Sequence, residues 1–269
     1  MQNGVLAGRT ALVTGSVQGI GLAIAKSLAA EGARIGVHGL ASAEQAAAAV
    51  AEIQDAGAPD ARFFDADMRD PDAIDAMMEA VEHWGGVDIL VNNAGIQKTG
   101  SIAELTRETW DMILAVNLSA AFFTMRRALP KMAERGYGRV VNIASVHGLV
   151  ASKDKSPYVA SKFGLVGMSR VAALEYASVG SREAGGVTVN CICPGWTETA
   201  IIEPQITARG EQLGVGRPEA IASLLAEKQP SLRTSRPDEI GQAIVWLASP
   251  IAHNITGISL PIDGGWTAQ

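Results

Sequence analysis

Three side chains between positions 145 and 162 have the types and spacing to handle a proton. Ser145 supplies a hydroxyl, Tyr158 a phenol, and Lys162 an ammonium four positions beyond the phenol. If Pro157 opens a helix, Tyr158 and Lys162 stand at i and i+4 on one face, which brings the ammonium beside the phenol oxygen. A nearby cation favours phenolate and lowers a pKa that is otherwise about 10. The product would be an acid/base able to work near neutral pH. Any amphipathic helix with a surface Tyr and Lys shows the same Y-x-x-x-K, so the surrounding elements have to decide.

Those elements alternate strand and helix. A strand over 10–14 runs into G-S-V-Q-G-I-G at 15–21 and then a helix reaching residue 31. Gly15, Gly19 and Gly21, with Ile20 between the last two, clear side chains from the turn, so that a pyrophosphate could approach the positive end of the helix. A second strand over 33–38 ends in His38, Gly39, Leu40 and Ala41, which offer neither an acid for a ribose 2′-hydroxyl nor a base for a 2′-phosphate. With Gln18 uncharged and no cation near the loop, NAD is favoured over NADP. A helix over 42–56 and a third strand over 61–67 follow, the strand ending in Asp67. That carboxylate could accept from an adenine amine or cap the helix at 71–84, although Asp70 is better placed to cap.

A buried strand over 87–95 ends in Asn92, Asn93, Ala94 and Gly95, small enough to let a cofactor lie close to the backbone. The helical pattern over 107–134 carries Asn117 in an otherwise apolar face, where a polar side chain needs a specific partner. A fifth strand over 138–145 delivers Ser145. The helix after Tyr158 is apolar enough, through Phe163, Val166, Met168, Val171, Ala172 and Leu174, to pack on the sheet and on another subunit. A sixth strand over 187–193 ends in Pro194 and Gly195. Residues 196–229 form a mostly helical insertion that could act as a lid, and a helix over 238–248 and a strand over 258–262 close the pattern. Such alternation predicts one α/β domain over 1–269, a doubly wound parallel sheet of about seven strands with its ligand crevice at the carboxyl ends.

Composition sets the class. The chain has 269 residues, 48% apolar and 19% charged, as in ordinary globular proteins. A net charge of −6 argues against nucleic acid or an anionic membrane as partner, so an anionic ligand must be held by local groups. The N-terminus lacks a basic segment followed by an apolar one, no run reads as a membrane span, and a cytoplasmic protein is expected. Cys191 and Cys193, on one face of a strand, read as reduced buried thiols. The four histidines have no ligand spacing, and no metal site is expected.

The ordered set T-G-x-x-x-G-x-G at 14–21, N-N-A-G at 92–95, Asn117, Ser145, Y-x-x-x-K at 158–162 and P-G at 194–195 resembles the short-chain dehydrogenase/reductase family over essentially the whole chain. That resemblance implies that Tyr158 is the acid in carbonyl reduction and the base in alcohol oxidation. It implies that Lys162 lowers the tyrosine pKa and holds the nicotinamide ribose, that Ser145 bonds the reacting oxygen, and that Asn117 anchors a water leading from Lys162 to solvent. Asn93, Ala94 and Gly95 match positions lining the adenosine ribose, while Thr197 and Thr199 are candidates for the nicotinamide amide and the phosphates. A homotetramer is implied, and in some relatives a metal near the C-terminus, which Gln269 does not itself demand.

A narrower resemblance, to bacterial members acting on 3-hydroxybutyrate, rests on N-A-G-I-Q at 93–97, N-I-A-S-V-H-G-L-V at 142–150, C-P-G-W at 193–196, L-L-A-E-K-Q-P-S at 224–231 and D-G-G-W at 263–266. It implies NAD-linked interconversion of (R)-3-hydroxybutyrate and acetoacetate. Gln97, His147, Lys155 and Gln205 could together donate to the carboxylate of such a hydroxy or keto acid, with Lys155 as the charge and Trp196 and Trp266 walling off the methyl end. His147 and Gln97 could instead satisfy buried backbone, and Lys155 could be a solvated loop charge. The loop at about 178–186 is longer than that group's usual form.

Overall fold

The computed structural model describes residues 4–200 and 202–268. Its strands β1 (Thr10–Val13), β2 (Arg34–Val37), β3 (Ala61–Phe63), β4 (Ile89–Asn92), β5 (Tyr137–Ile143), β6 (Gly186–Pro194) and β7 (Ser259–Ile262) form one sheet. All pairings are parallel and the order is β3-β2-β1-β4-β5-β6-β7. Helices cover both faces, which is why β1, β4, β5 and β6 are buried along their whole length and read as apolar runs rather than alternating ones. On one face lie α1 (Gly19–Ala30), α2 (Ala43–Asp55) and α9 (Pro237–Ala248), contributing Ile24, Leu28, Ile53, Ile240 and Ile244 to the core. On the other lie α3 (Pro71–Gly85), α5 (Ala120–Arg135) and α6 (Ser156–Tyr176), with Ile74, Met77, Leu129, Met132 and Ala172. The order reverses between β1 and β4, so the crevice opens at their carboxyl ends.

Local chemistry sets the helix starts. Ser42 and Gln45 form a reciprocal capping box on α2. Asp70 Oδ1 accepts from the Asp72 N–H with Pro71 in the first turn of α3, which frees Asp67 from that duty.

Several elements depart from the sequence expectation. β3 stops at Phe63 instead of reaching residue 67, because its neighbour β2 ends at Val37 and the ladder closes with Phe64 N–H donating to Val37 O. Asp67 therefore stands in a loop. The helix expected over 107–134 is α4 (Arg107–Leu114), a π-turn at Ala115–Ser119, and then α5. β5 ends at Ile143, two residues before Ser145. Contrary to the expectation that no run reaches membrane length, residues 107–135 are long and apolar enough to span a bilayer. Seven of its side chains in α5, from Ala120 to Met132, are instead buried in the protein core. The turn region 181–185 precedes β6, at the end of the sheet opposite the crevice. On α6, Val166 and Ala172 pack inward, whereas Phe163, Val171 and Leu174 are 45%, 55% and 80% exposed, leaving an apolar outer face.

Candidate active site

The turn after β1 is shaped by what it packs against. Gly15 and Gly19 take left-handed backbone conformations with φ of 65° and 58°. A Cβ on Gly21 would lie 2.1 Å from Gly15 O and 2.5 Å from Asn93 Nδ2, so no side chain fits there. Asn93 Nδ2 donates to Thr14 O at 2.9 Å and to Gly15 O at 3.1 Å, and Thr14 Oγ1 accepts from the N–H groups of Asn93 and Ala94 at 3.0 Å each. Asn93 thus braces the glycine turn with its side-chain amide, and the Thr14 hydroxyl separately holds the backbone of Asn93 and Ala94.

His38 is a second brace. Its Nδ1 accepts from the Gly15 N–H at 3.1 Å, which leaves the proton on Nε2 to donate to Ala66 O at 3.0 Å. Burial lowers its pKa and keeps the ring neutral. Beyond it, the Arg69 guanidinium grips both oxygens of Asp67 and holds that carboxyl down to about 2. The expectation that no cation stands near the glycine loop is therefore corrected. Arg69 borders the same cavity, but it is committed to Asp67.

That cavity, about 580 Å³, runs from Gly15, Gly19, Ile20 and Gly21 past Asp67 and Asn93 to Trp266. Ala94, Gly95, Gln97, Ser145, His147, Lys155, Tyr158, Lys162, Pro194, Gly195, Trp196, Thr197, Thr199 and Gln205 also border it. Asn117, by contrast, stands behind the wall. Its Oδ1 accepts from the Ile96 N–H at 2.8 Å, and its Nδ2 donates to Ile96 O at 2.9 Å and to Ser161 Oγ at 3.3 Å. These bonds tie α6 to the segment after β4, and the π-turn is what aims the amide at that segment.

Ser145 Oγ accepts from the His147 N–H at 3.1 Å, capping a short 3-10 turn at Val146–Gly148. Pro157 in the first turn of α6 starts the helix that sets Tyr158 and Lys162 one turn apart. The ammonium does not behave as its spacing suggested. Lys162 Nζ donates to Ile143 O at 2.8 Å and stands 5.7 Å from the Tyr158 ring centroid. Burial lowers Lys162 to about 8 and raises the Tyr158 phenol, with Ser145 the group that opposes the rise. Desolvation outweighs the expected charge effect because both groups sit in the crevice wall. Cys191 and Cys193 are free, buried and pushed up to about 11 and 12 by burial, hence neutral thiols.

At the far end, two helices from the insertion, α7 (Glu203–Leu213) and α8 (Arg217–Lys228), pack together. Gln205 on α7 accepts from Lys155 Nζ at 3.0 Å across fifty residues of sequence. Lys155 is therefore no solvated loop charge: burial, then repulsion from Lys228, lowers it to about 8. Trp196 and Trp266 stack at 6.4 Å and 20°, and His147 meets the Trp266 and Tyr158 rings edge-on at 5.4 Å and 6.1 Å. Nδ1 of His147 pairs with Val150 O at 3.2 Å, so part of the histidine does satisfy backbone. Burial and the charge of Lys155 lower its pKa to about 4. The neutral ring then donates through Nδ1, and Nε2 is left as an acceptor. This differs from the donor role expected of His147. Among the described residues no group of three or more His, Cys, Asp or Glu could hold a metal ion, and Gln269 lies outside the described residues.

A dinucleotide fits this arrangement on two counts. The turn is a backbone cradle that a Cβ at Gly21 would fill, and Thr197 Oγ1, buried in the cavity wall, has no partner among the described residues. Comparison with known proteins agrees with the geometry. Residues 9–209 match the family described as short chain dehydrogenase. The chain is 48% identical to a D-beta-hydroxybutyrate dehydrogenase of Cupriavidus necator, over 98% of this chain and 100% of that protein. It is 42% identical to a D-beta-hydroxybutyrate dehydrogenase of Rhizobium meliloti, over 97% and 99%. A crystal structure of a provisionally named gluconate dehydrogenase from Agrobacterium tumefaciens superposes with a TM-score of 0.86 at 33% identity, covering 98% of each chain. With glycine turn, Tyr158, Lys162 and crevice in one continuous fold, the chain belongs to the short-chain dehydrogenase family.

Proposed function

We propose that this oxidoreductase interconverts (R)-3-hydroxybutyrate and acetoacetate with NAD. The observation that carries the reading is the Lys155–Gln205 pair closing one end of the cavity beside the Trp196–Trp266 stack. It offers one half-buried positive charge, amide groups and an apolar wall, with Tyr158 and Ser145 alongside. The names of the Cupriavidus and Rhizobium relatives support the same substrate.

A nicotinamide cofactor supplies hydride acceptance and donation. The chain's residues supply everything else. The glycine turn, Asn93 to Gly95, Asp67, Thr197, Thr199 and the Pro194–Gly195 segment hold the dinucleotide. Lys162, anchored on Ile143 O, holds the ribose end. Tyr158 Oη gives its proton to the ketone oxygen in reduction and takes it from the alcohol in oxidation. Ser145 Oγ donates to that same oxygen while accepting from the His147 N–H. Because burial raises the phenol, Tyr158 stays protonated at neutral pH, the form reduction needs, and oxidation gains toward alkaline pH. Lys155, Gln205 and Gln97 donate to the carboxylate. NAD is favoured over NADP because Leu40, in the loop after β2, is apolar and 74% exposed, and Arg69 is occupied by Asp67.

The segment 196–229 serves as a lid that contributes Gln205 and buries Ile202 against Ile206 and Ala220. The exposed apolar side chains Trp110, Phe122, Phe163, Val171 and Leu174 on α4, α5 and α6 support assembly as a homotetramer.

An absorbance assay at 340 nm tests the reading, with each cofactor against both 3-hydroxybutyrate enantiomers, longer 3-hydroxy acids and neutral polyols. The R enantiomer with NAD should give the highest kcat/KM. Preference for a polyol or a longer acid would reject the substrate assignment. Gly21→Ala should displace the glycine turn, and fluorescence titration should then show NADH affinity reduced by more than about tenfold, since one such clash is worth at least ~1.4 kcal/mol. Unchanged affinity in a folded variant would remove the turn from the cofactor site.

A further inference from the structure

Both lid helices are tied to the short stretch of chain that carries Lys155. The tie from α7 is the Lys155–Gln205 bond already described. The tie from α8 comes from its last residue: Lys228 Nζ donates to Ser152 Oγ at 2.8 Å, three positions before Lys155 and seventy-six away in sequence from its own partner. The same ammonium lies 5.3 Å from the Trp266 ring centroid. Trp266 is the ring that meets His147 edge-on and stacks on Trp196, and Trp196 in turn has Lys155 Nζ 5.9 Å from its centroid. Two ammonium groups therefore flank a pair of stacked indoles, Lys155 on the cavity side and Lys228 outside the cavity lining.

Three features make this more than a surface contact. The bond joins a loop to a helix end, so it fixes the loop's position relative to the lid, which local backbone bonding cannot do. Within the loop, Asp154 takes the left-handed conformation at φ 62° that its short polar side chain tolerates, and its carbonyl accepts from the Gly100 N–H at 2.9 Å, so the loop is held at a second point. And the charge of Lys228 reaches both groups that face the proposed carboxylate, lowering Lys155 and His147. Among the described residues, the charged groups around the tie include Lys155 and His147 on its cavity side and the exposed Lys153 and Asp154 of the loop.

We propose that Lys228 is a positioning residue for substrate acids: by holding Ser152 and bracing Trp266 it sets the 149–155 loop, and with it Lys155, in register with the lid. The inference rests on the reading that Lys155 binds the substrate carboxylate, and it extends that site to a residue that does not touch the ligand.

The test uses the full-length enzyme as wild type, Lys228→Met, Lys228→Arg, Ser152→Ala and the double variant Lys228→Met/Ser152→Ala. With (R)-3-hydroxybutyrate, Lys228→Met should raise KM about tenfold, the scale of one lost charge-assisted hydrogen bond, with kcat and NADH affinity changed less than about threefold. The double variant should be no worse than Lys228→Met, because both substitutions remove one shared interaction. Lys228→Arg should recover most of the affinity. Hydrogen exchange should show faster exchange in residues 149–155 of Lys228→Met, whatever the substrate proves to be. Unchanged KM, an equal loss of kcat and NADH affinity, strictly additive effects, or unaltered exchange in 149–155 would each overturn the proposal. If wild-type enzyme turned over no hydroxy acid at all, the substrate reading would fail by itself, and loop exchange with the KM of the best substrate in the panel would still decide the role of Lys228.

Discussion

Tyr158→Phe is expected to lower turnover about 10²–10⁴-fold, the contribution of a placed acid/base, with NADH affinity unchanged. The substitution removes one oxygen and keeps the ring, so the edge-on contact with His147 and the start of α6 behind Pro157 should survive. Ser145 remains as a hydrogen-bond donor to the same oxygen, but its aliphatic hydroxyl is far less acidic than a phenol and does not replace Tyr158 as the proton source. Neither Cys191 nor Cys193 can substitute, because neither borders the cavity that Tyr158 faces. The loss should therefore fall on kcat. Steady-state and single-turnover measurements with NADH and acetoacetate check this. Turnover within about threefold of wild type would remove Tyr158 from proton transfer, since a placed acid/base contributes at least ~10²-fold.

Lys155→Ala should raise KM for the hydroxy acid roughly 10- to 100-fold, the cost of one charge-assisted hydrogen bond in a partly buried site, while NADH affinity stays as it was. Equal weakening of acid and cofactor would mean that Lys155 supports the whole crevice and not the carboxylate. The sign of the pH effect follows from the environment. Burial and Lys228 bring Lys155 down to about 8, so the free enzyme loses this charge as pH rises through that value. Affinity for the acid should accordingly fall above pH 8, and this limb should vanish in Lys155→Ala. Lys162 is also lowered to about 8, by burial. Its limb should persist in the variant and appear with neutral substrates, which separates the two lysines. If the alkaline fall in acid affinity were identical in wild type and Lys155→Ala, the charge assignment would be wrong.

Much of the site could be read directly from the chain because its parts are local. The glycine turn is a run of seven residues, Tyr158 and Lys162 are one helical turn apart, and Ser145 stands two residues past the end of a buried strand. Periodicity and turn chemistry of this kind are short-range, and the parallel order followed from alternation and the handedness of crossovers. The errors also have local causes. Apolar residues that continue past Phe63 extend the expected β3 beyond the point where its neighbour ends, and a strand without a partner does not extend. The π-turn at 115–119 left no signature but the misplaced polarity of Asn117, whose partner at Ile96 is twenty-one residues away. His38 looked inert in sequence because its two partners, Gly15 and Ala66, lie on other elements.

What the sequence alone determined is an α/β sheet, a glycine turn at the start of its first helix and the spacing of the Ser145, Tyr158 and Lys162 set. What only the tertiary structure decided is how those groups are charged and what they face. The ionisation of Tyr158 and Lys162 is governed by desolvation, which depends on everything packed around them and reversed the sign expected for the phenol. The far end of the cavity is assembled from Lys155, Gln205, Trp196 and Trp266, residues distant in sequence that meet only in the folded chain. Residue type and spacing specify short-range geometry, whereas burial and long-range contact exist only once the chain has closed on itself.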